Sequence, residues 1–151
     1  MIVATDFFTV EVWTRRGLQR FMVLFFIDLI GKRYLIHDRD PLFTAEFLSI
    51  ITETGVESVK LPARSPNLNA YAERFVRSIK ESCLNRMIFF GEESLRTAIQ
   101  NFVAHYHSER NHQGLRNQLI RPEAGHLGSA GEIQRRQRLG GMLNYYYRAA
   151  A

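Results

Sequence analysis

The spacing of hydrophobic and polar positions divides this chain into a strand-rich first part and a helix-rich second part. From Ile2 to Trp13 the sequence is dense in Val, Phe, Thr and Trp and reads as a strand ending at Thr14-Arg-Arg-Gly17, a hairpin-type turn. Gln19 to Leu29 is its antiparallel return. After the break at Gly31-Lys-Arg33, Tyr34-Leu-Ile-His-Asp38 has the pattern of a short buried strand. Pro41 ends it, and Thr44 stands as N-cap of a helix carrying Phe47, Leu48, Ile50 and Ile51, which Gly55 closes. Val56 to Leu61 is short and β-prone, and Pro62 to Asn69 is a loop by its turn chemistry.

Two helices follow. On the first, Ala72, Phe75, Val76, Ile79, Cys83 and Met87 form an apolar stripe, while Glu73, Arg77 and Lys80 recur at i, i+4 and i+7 on the opposite side. That helix breaks near Gly91. The second runs from about Glu93 to Ser108, with Leu95, Ala98, Ile99, Phe102, Val103 and Tyr106 as its core stripe. After Arg110 the pattern dissolves, and residues 117–151 read as a basic, glycine-rich tail ending in Tyr145-Tyr-Tyr147. Strands first, then strand alternating with helix, predict an α/β domain with a mixed sheet and packed helices.

Composition narrows the possibilities. A chain of 151 residues fits one domain, and 46% hydrophobic residues exclude general disorder. The net charge of +5 is unevenly placed: residues 1–109 hold 13 basic and 13 acidic residues, and the remainder 7 and 2. Such asymmetry is compatible with a polyanionic partner. One cysteine, Cys83, excludes an internal disulfide or a Cys-rich zinc module, and its place on an apolar stripe makes it a buried hydrophobe. The apolar run Phe21–Ile27 stops at Asp28, too short to span a bilayer, and no secretory signal pattern opens the chain. The expected setting is cytoplasmic, with no membrane.

Three acids carry the candidate chemistry. Asp6 and Asp38 lie within strand patterns, and Glu73 follows Asp38 by 35 positions on the helix with Arg77 and Lys80. Asp40 competes with Asp38, but Asp40-Pro41 reads as turn chemistry. His105, His107 and His112 with Cys83 have the wrong spacing for zinc. Three carboxylates without His or Cys partners suit hard ions such as Mg²⁺ or Mn²⁺.

Asn69-Ala-Tyr-Ala-Glu73 resembles an Asn-Ala-x-x-Glu motif, and Tyr106-His-Ser-Glu-Arg-Asn-His-Gln-Gly-Leu115 resembles a Tyr-x-x-x-Arg-x-His-x-x-Leu signature. With Asp6 and Asp38 in order before them, the chain resembles the catalytic core of integrases and insertion-sequence transposases, which carry an Asp, Asp, Glu triad on a ribonuclease H-like fold. The resemblance covers residues 1–116. It implies that Asp6, Asp38 and Glu73 are catalytic and hold two Mg²⁺ or Mn²⁺ ions, with Arg77 and Lys80 on DNA phosphate. It also implies cleavage of DNA ends and strand transfer into target DNA, by a homo-oligomer associated with the nucleoid. The Tyr106–Leu115 signature is expected to anchor the last helix.

One departure stands out. Only 31 residues separate Asp6 from Asp38, where the family usually carries a further strand and helix, so the core reads as incomplete through an internal deletion. A short connection through Leu29–Arg33 favours an antiparallel hairpin of the second and third strands, setting Asp38 two strands from Asp6. The other order passes the linker beneath the first strand and restores the parallel neighbours of the family. A noncatalytic DNA-binding or multimerising remnant and a ribonuclease H-type nuclease are the competing functions.

Overall fold

The computed structural model describes residues 2–28, 34–37, 39–62, 69–122 and 131–148. The expected hairpin forms: β1 (Ile2–Thr14) and β2 (Gly17–Asp28) are joined by a two-residue turn. Thr14 Oγ1 accepts from the Arg16 amide at 3.1 Å and donates to the Gly17 carbonyl at 2.9 Å, and Gly17 takes a φ of 91° that a side chain would resist. β3 (Tyr34–His37), α1 (Ala45–Glu53), β4 (Glu57–Lys60), α2 (Ala70–Ser82) and α3 (Gly91–Ser108) follow. The last elements are β5 (Ile133–Arg138) and β6 (Leu143–Arg148). The chain divides into two units, Met1–Glu11 with Arg20–Ser78, and Val12–Gln19 with Ile79–Ala151.

The four-stranded sheet has the order β2-β1-β3-β4, with β1–β3 and β3–β4 both parallel. This decides between the two orders the sequence allowed. β3 lies beside β1, so the antiparallel hairpin of β2 with β3 does not form. The connection between them, residues 29–33, lies outside the described residues. The arrangement places β1 in the interior, and Leu35 of β3 is 1% exposed.

Aromatic rings secure both faces of the first unit's sheet. Successive strand residues point to opposite faces, so Phe7 and Phe8 diverge. Phe7 meets Phe43 at 4.8 Å between centroids, and Phe43 also contacts His37 and Phe47 of α1. Phe8 meets Phe25, which lies 4.8 Å from Phe75 of α2. Asp6 shares the parity of Phe8 and so belongs to the face that α2 covers. Thr44 caps α1 through the Phe47 amide, and Gly55 (φ 79°) closes it, both as the sequence predicts.

In the second unit α3 buries Leu95, Ala98, Phe102 and Tyr106 alongside Ile79, Cys83, Phe89 and Leu143. The Cys83 thiol is fully buried, and burial pushes its pKa up to about 11. The sequence suggests no element after Arg110, but β5 and β6 pair there as an antiparallel hairpin in the register Ile133↔Arg148 to Arg138↔Leu143. Its strands escape notice because Ile-Gln-Arg-Arg-Gln-Arg has no apolar alternation.

Candidate functional site

Asp6 sits well inside β1, half-buried, with Oδ1 accepting from the Phe7 amide at 2.8 Å. One residue before it, Thr5 is fully buried, and its hydroxyl donates to the Phe25 carbonyl of β2 at 2.6 Å. The Thr5 carbonyl accepts from Asn69 Nδ2 at 3.3 Å. Asn69 is 5% exposed and immediately precedes α2, so this bond ties the start of the helix to the strand position next to Asp6. Glu73 lies one turn into α2 and is exposed, as is Arg77 one turn further. Lys80 is half-buried near the end of the helix. Asn69 Oδ1 is buried and has no hydrogen-bond partner among the described residues.

Asp38 lies outside the described residues, but its flanks are placed. His37 before it is 1% exposed and shares a 2.9 Å hydrogen bond with Ser58 Oγ. After it, Arg39 Nε donates to the Leu61 carbonyl at 3.1 Å. Asp40 serves the following turn, where its Oδ1 accepts from the Leu42 amide. In the β1–β3 register Ile2, Val3 and Ala4 face Tyr34, Leu35 and Ile36, each partner 32 positions on, which is also the interval from Asp6 to Asp38.

Among the described residues no group of three His, Cys, Asp or Glu side chains converges to hold a metal ion. Carboxylate donors are the ligand type that suits a hard divalent ion. Asp6 is half-buried at the covered face, the helix bearing Glu73 is tethered beside it, and no thiol or imidazole belongs to the acid triad.

The Tyr106–Leu115 signature folds onto itself at the end of α3. His112 Nε2 donates to the Tyr106 carbonyl at 2.8 Å, its ring meets the Tyr106 ring at 4.6 Å, and the Arg110 guanidinium lies over that ring. Sequence reasoning missed Glu109, inside this signature. Its side chain is 1% exposed and accepts from Arg138 at 2.8 Å, Arg136 at 3.2 Å and His105 Nδ1 at 3.1 Å. Burial alone would raise its pKa, but the hydrogen bonds from Arg138, His105 and Arg136 outweigh that and bring it down to about 2. An ionised carboxylate only accepts, so His105 donates from Nδ1, and burial lowers the His105 pKa. The only forewarning was the i, i+4 spacing of His105 and Glu109.

Residues 54–119 match the family model of the integrase core domain. Over that segment the chain is similar to an integrase core domain. The match includes Asn69, Glu73, Arg77, Lys80 and the Tyr106–Leu115 signature, while Asp6 and Asp38 precede it. Comparison with curated proteins and with solved structures gave no match. Among the described residues no helix is long and apolar enough to cross a membrane.

Proposed function

We propose that this chain is a divalent-metal-dependent polynucleotidyl transferase core, acting in DNA cleavage and strand transfer on a ribonuclease H-like sheet that lacks one strand and one helix. The observation that carries the reading is the parallel β1–β3 pair, whose 32-residue register offset equals the Asp6 to Asp38 interval. Neighbouring parallel strands lie about 4.8 Å apart, close enough for two carboxylates to share an ion. The Asn69 tether supports Glu73 as the third member.

Asp6, Asp38 and Glu73 are the residues to hold Mg²⁺ or Mn²⁺. When bound, a pair of such ions supplies an activated oxygen nucleophile and neutralises charge at phosphorus. The chain's own part is positioning: Asn69 fixes the angle at which α2 leaves the sheet, and the Phe8, Phe25 and Phe75 rings keep α2 against it. Arg77 and Lys80 hold phosphate as charges on α2. DNA is the partner, and the acting form is a homo-oligomer.

The test pairs a metal-dependent melting shift with cleavage of a labelled DNA duplex end. Mn²⁺ should raise the melting temperature of the wild type but not of Asp6→Asn or Glu73→Gln, and cleavage should disappear in both variants. A melting temperature indifferent to Mn²⁺, with salt-sensitive DNA binding retained, would overturn the catalytic reading in favour of a noncatalytic DNA-binding remnant.

A further inference from the structure

The second unit contains a cleft of about 900 Å³ that the acid triad does not use. One wall is β6, from Asn144 to Arg148, and the other is the segment after α3 that carries Arg110, Asn111, Asn117 and Gln118. Its volume is that of an ordinary ligand site.

The lining has a definite chemistry. Its one acid, Glu109, is fully covered and engaged by Arg136, Arg138 and His105, so it offers no anion to a ligand. Arg110 and Arg148 supply cationic groups, and Asn111, Asn117, Gln118 and Asn144 supply amides that both donate and accept. Tyr145 and Tyr147, two apart on β6, stack their rings at 5.5 Å, and the Arg136 guanidinium lies over Tyr147. Cations for phosphate, amides for base edges and aromatic rings for base faces together describe an unpaired nucleotide strand. A duplex keeps its base faces inside the stack and offers none to the tyrosine rings.

We propose that this cleft binds single-stranded DNA, with phosphates on Arg110 and Arg148 and bases against the tyrosines and amides of β6 and the segment after α3. The assignment deepens the reading of the chain as a DNA-processing core by naming the strand state it holds. It rests on the cleft and not on the acids.

The experiment is fluorescence anisotropy with a labelled oligothymidylate and a duplex of equal length, in EDTA so that no metal site contributes. The wild type should bind the single strand more tightly than the duplex. Asn111→Asp, at an exposed position outside helix and strand, should weaken single-strand binding about fivefold by charge repulsion. Tyr147→Leu should weaken it about tenfold, and Tyr147→Phe, which keeps the ring, should stay within about twofold of the wild type. Unchanged single-strand affinity in both Asn111→Asp and Tyr147→Leu, or equal affinity of the wild type for duplex, overturns the proposal. Mn²⁺-dependent duplex cleavage and its loss in Asp6→Asn are read separately, so failure of the cleft and failure of the triad are distinguishable.

Discussion

Glu109→Gln should destabilise the protein more than any exposed substitution, and the size of the effect follows from its titration. The carboxyl moves from an ordinary 4.5 to about 2 in the folded chain. At 1.36 kcal/mol per unit, that shift corresponds to about 3 kcal/mol of stability at neutral pH. The sign is that of a depressed acid. Between the two pKa values the unfolded chain binds more protons, so the contribution is complete above about pH 4.5 and shrinks as pH falls towards 2. At pH 3.5 about 2 kcal/mol should remain. His105 works in the same direction, since its pKa is lowered by burial and acid favours its protonated, unfolded form. Urea unfolding of wild type and Glu109→Gln at pH 7 and pH 3.5 measures the difference directly. The substitution keeps volume and one acceptor, but strands two half-covered guanidinium groups opposite a neutral amide. A loss under about 0.5 kcal/mol at pH 7, or a difference that does not narrow in acid, would refute the argument that charge at Glu109 holds β5 to the end of α3.

Asn69→Ala removes the tie between α2 and the Thr5 carbonyl and should cost about 1 kcal/mol in urea unfolding, with a disproportionate fall in Mn²⁺-dependent cleavage; equal losses in stability and activity would make Asn69 merely structural. Thr44→Ala deletes the side-chain cap of α1 and should cost about 1 kcal/mol, checked by thermal melting and restored by Thr44→Ser. Cys83, fully buried with its pKa raised to about 11, should resist iodoacetamide at pH 8 in the native protein and react rapidly in urea; fast native labelling would place the thiol outside the core.

The parts of the fold legible in sequence are those whose elements follow one period. The α3 stripe repeats apolar residues at helical spacing, and Leu95, Ala98, Phe102 and Tyr106 are buried as that spacing requires, with Ile99 and Val103 at the margin. Thr44 and Gly55 mark α1 because capping chemistry is local. Strand order is not local. Nothing within Leu29–Arg33 states which strand β3 will join, because pairing depends on which edge and face remain to be covered. The C-terminal hairpin was hidden for a different reason. Its α3-facing side is filled by Arg136 and Arg138 ion-paired with Glu109, with tyrosines beside them, so the usual aliphatic alternation is replaced by an ion-pair network that only tertiary structure reveals.

The same distinction explains how the candidate site divides. Glu73 could be singled out in the sequence because its helix carries a motif, and the family match extends over it. Asp6 and Asp38 precede that match, and Asp38 lies outside the described residues. On the proposed reading, what joins them is topological. The β1–β3 register relates Ile2, Val3 and Ala4 each to the residue 32 positions later, the same interval as from Asp6 to Asp38, and an antiparallel pair of β2 and β3 would relate neither acid to the other. On the proposed reading, a deletion between the two strands removes a strand and a helix without separating the acids, provided that β3 still joins β1 in the same register. The constraint lies on register rather than loop length. Changing the length of the Leu29–Arg33 connection should alter stability before activity, whereas a one-residue slip of β3 would turn its side chains to the opposite face and abolish metal-dependent cleavage.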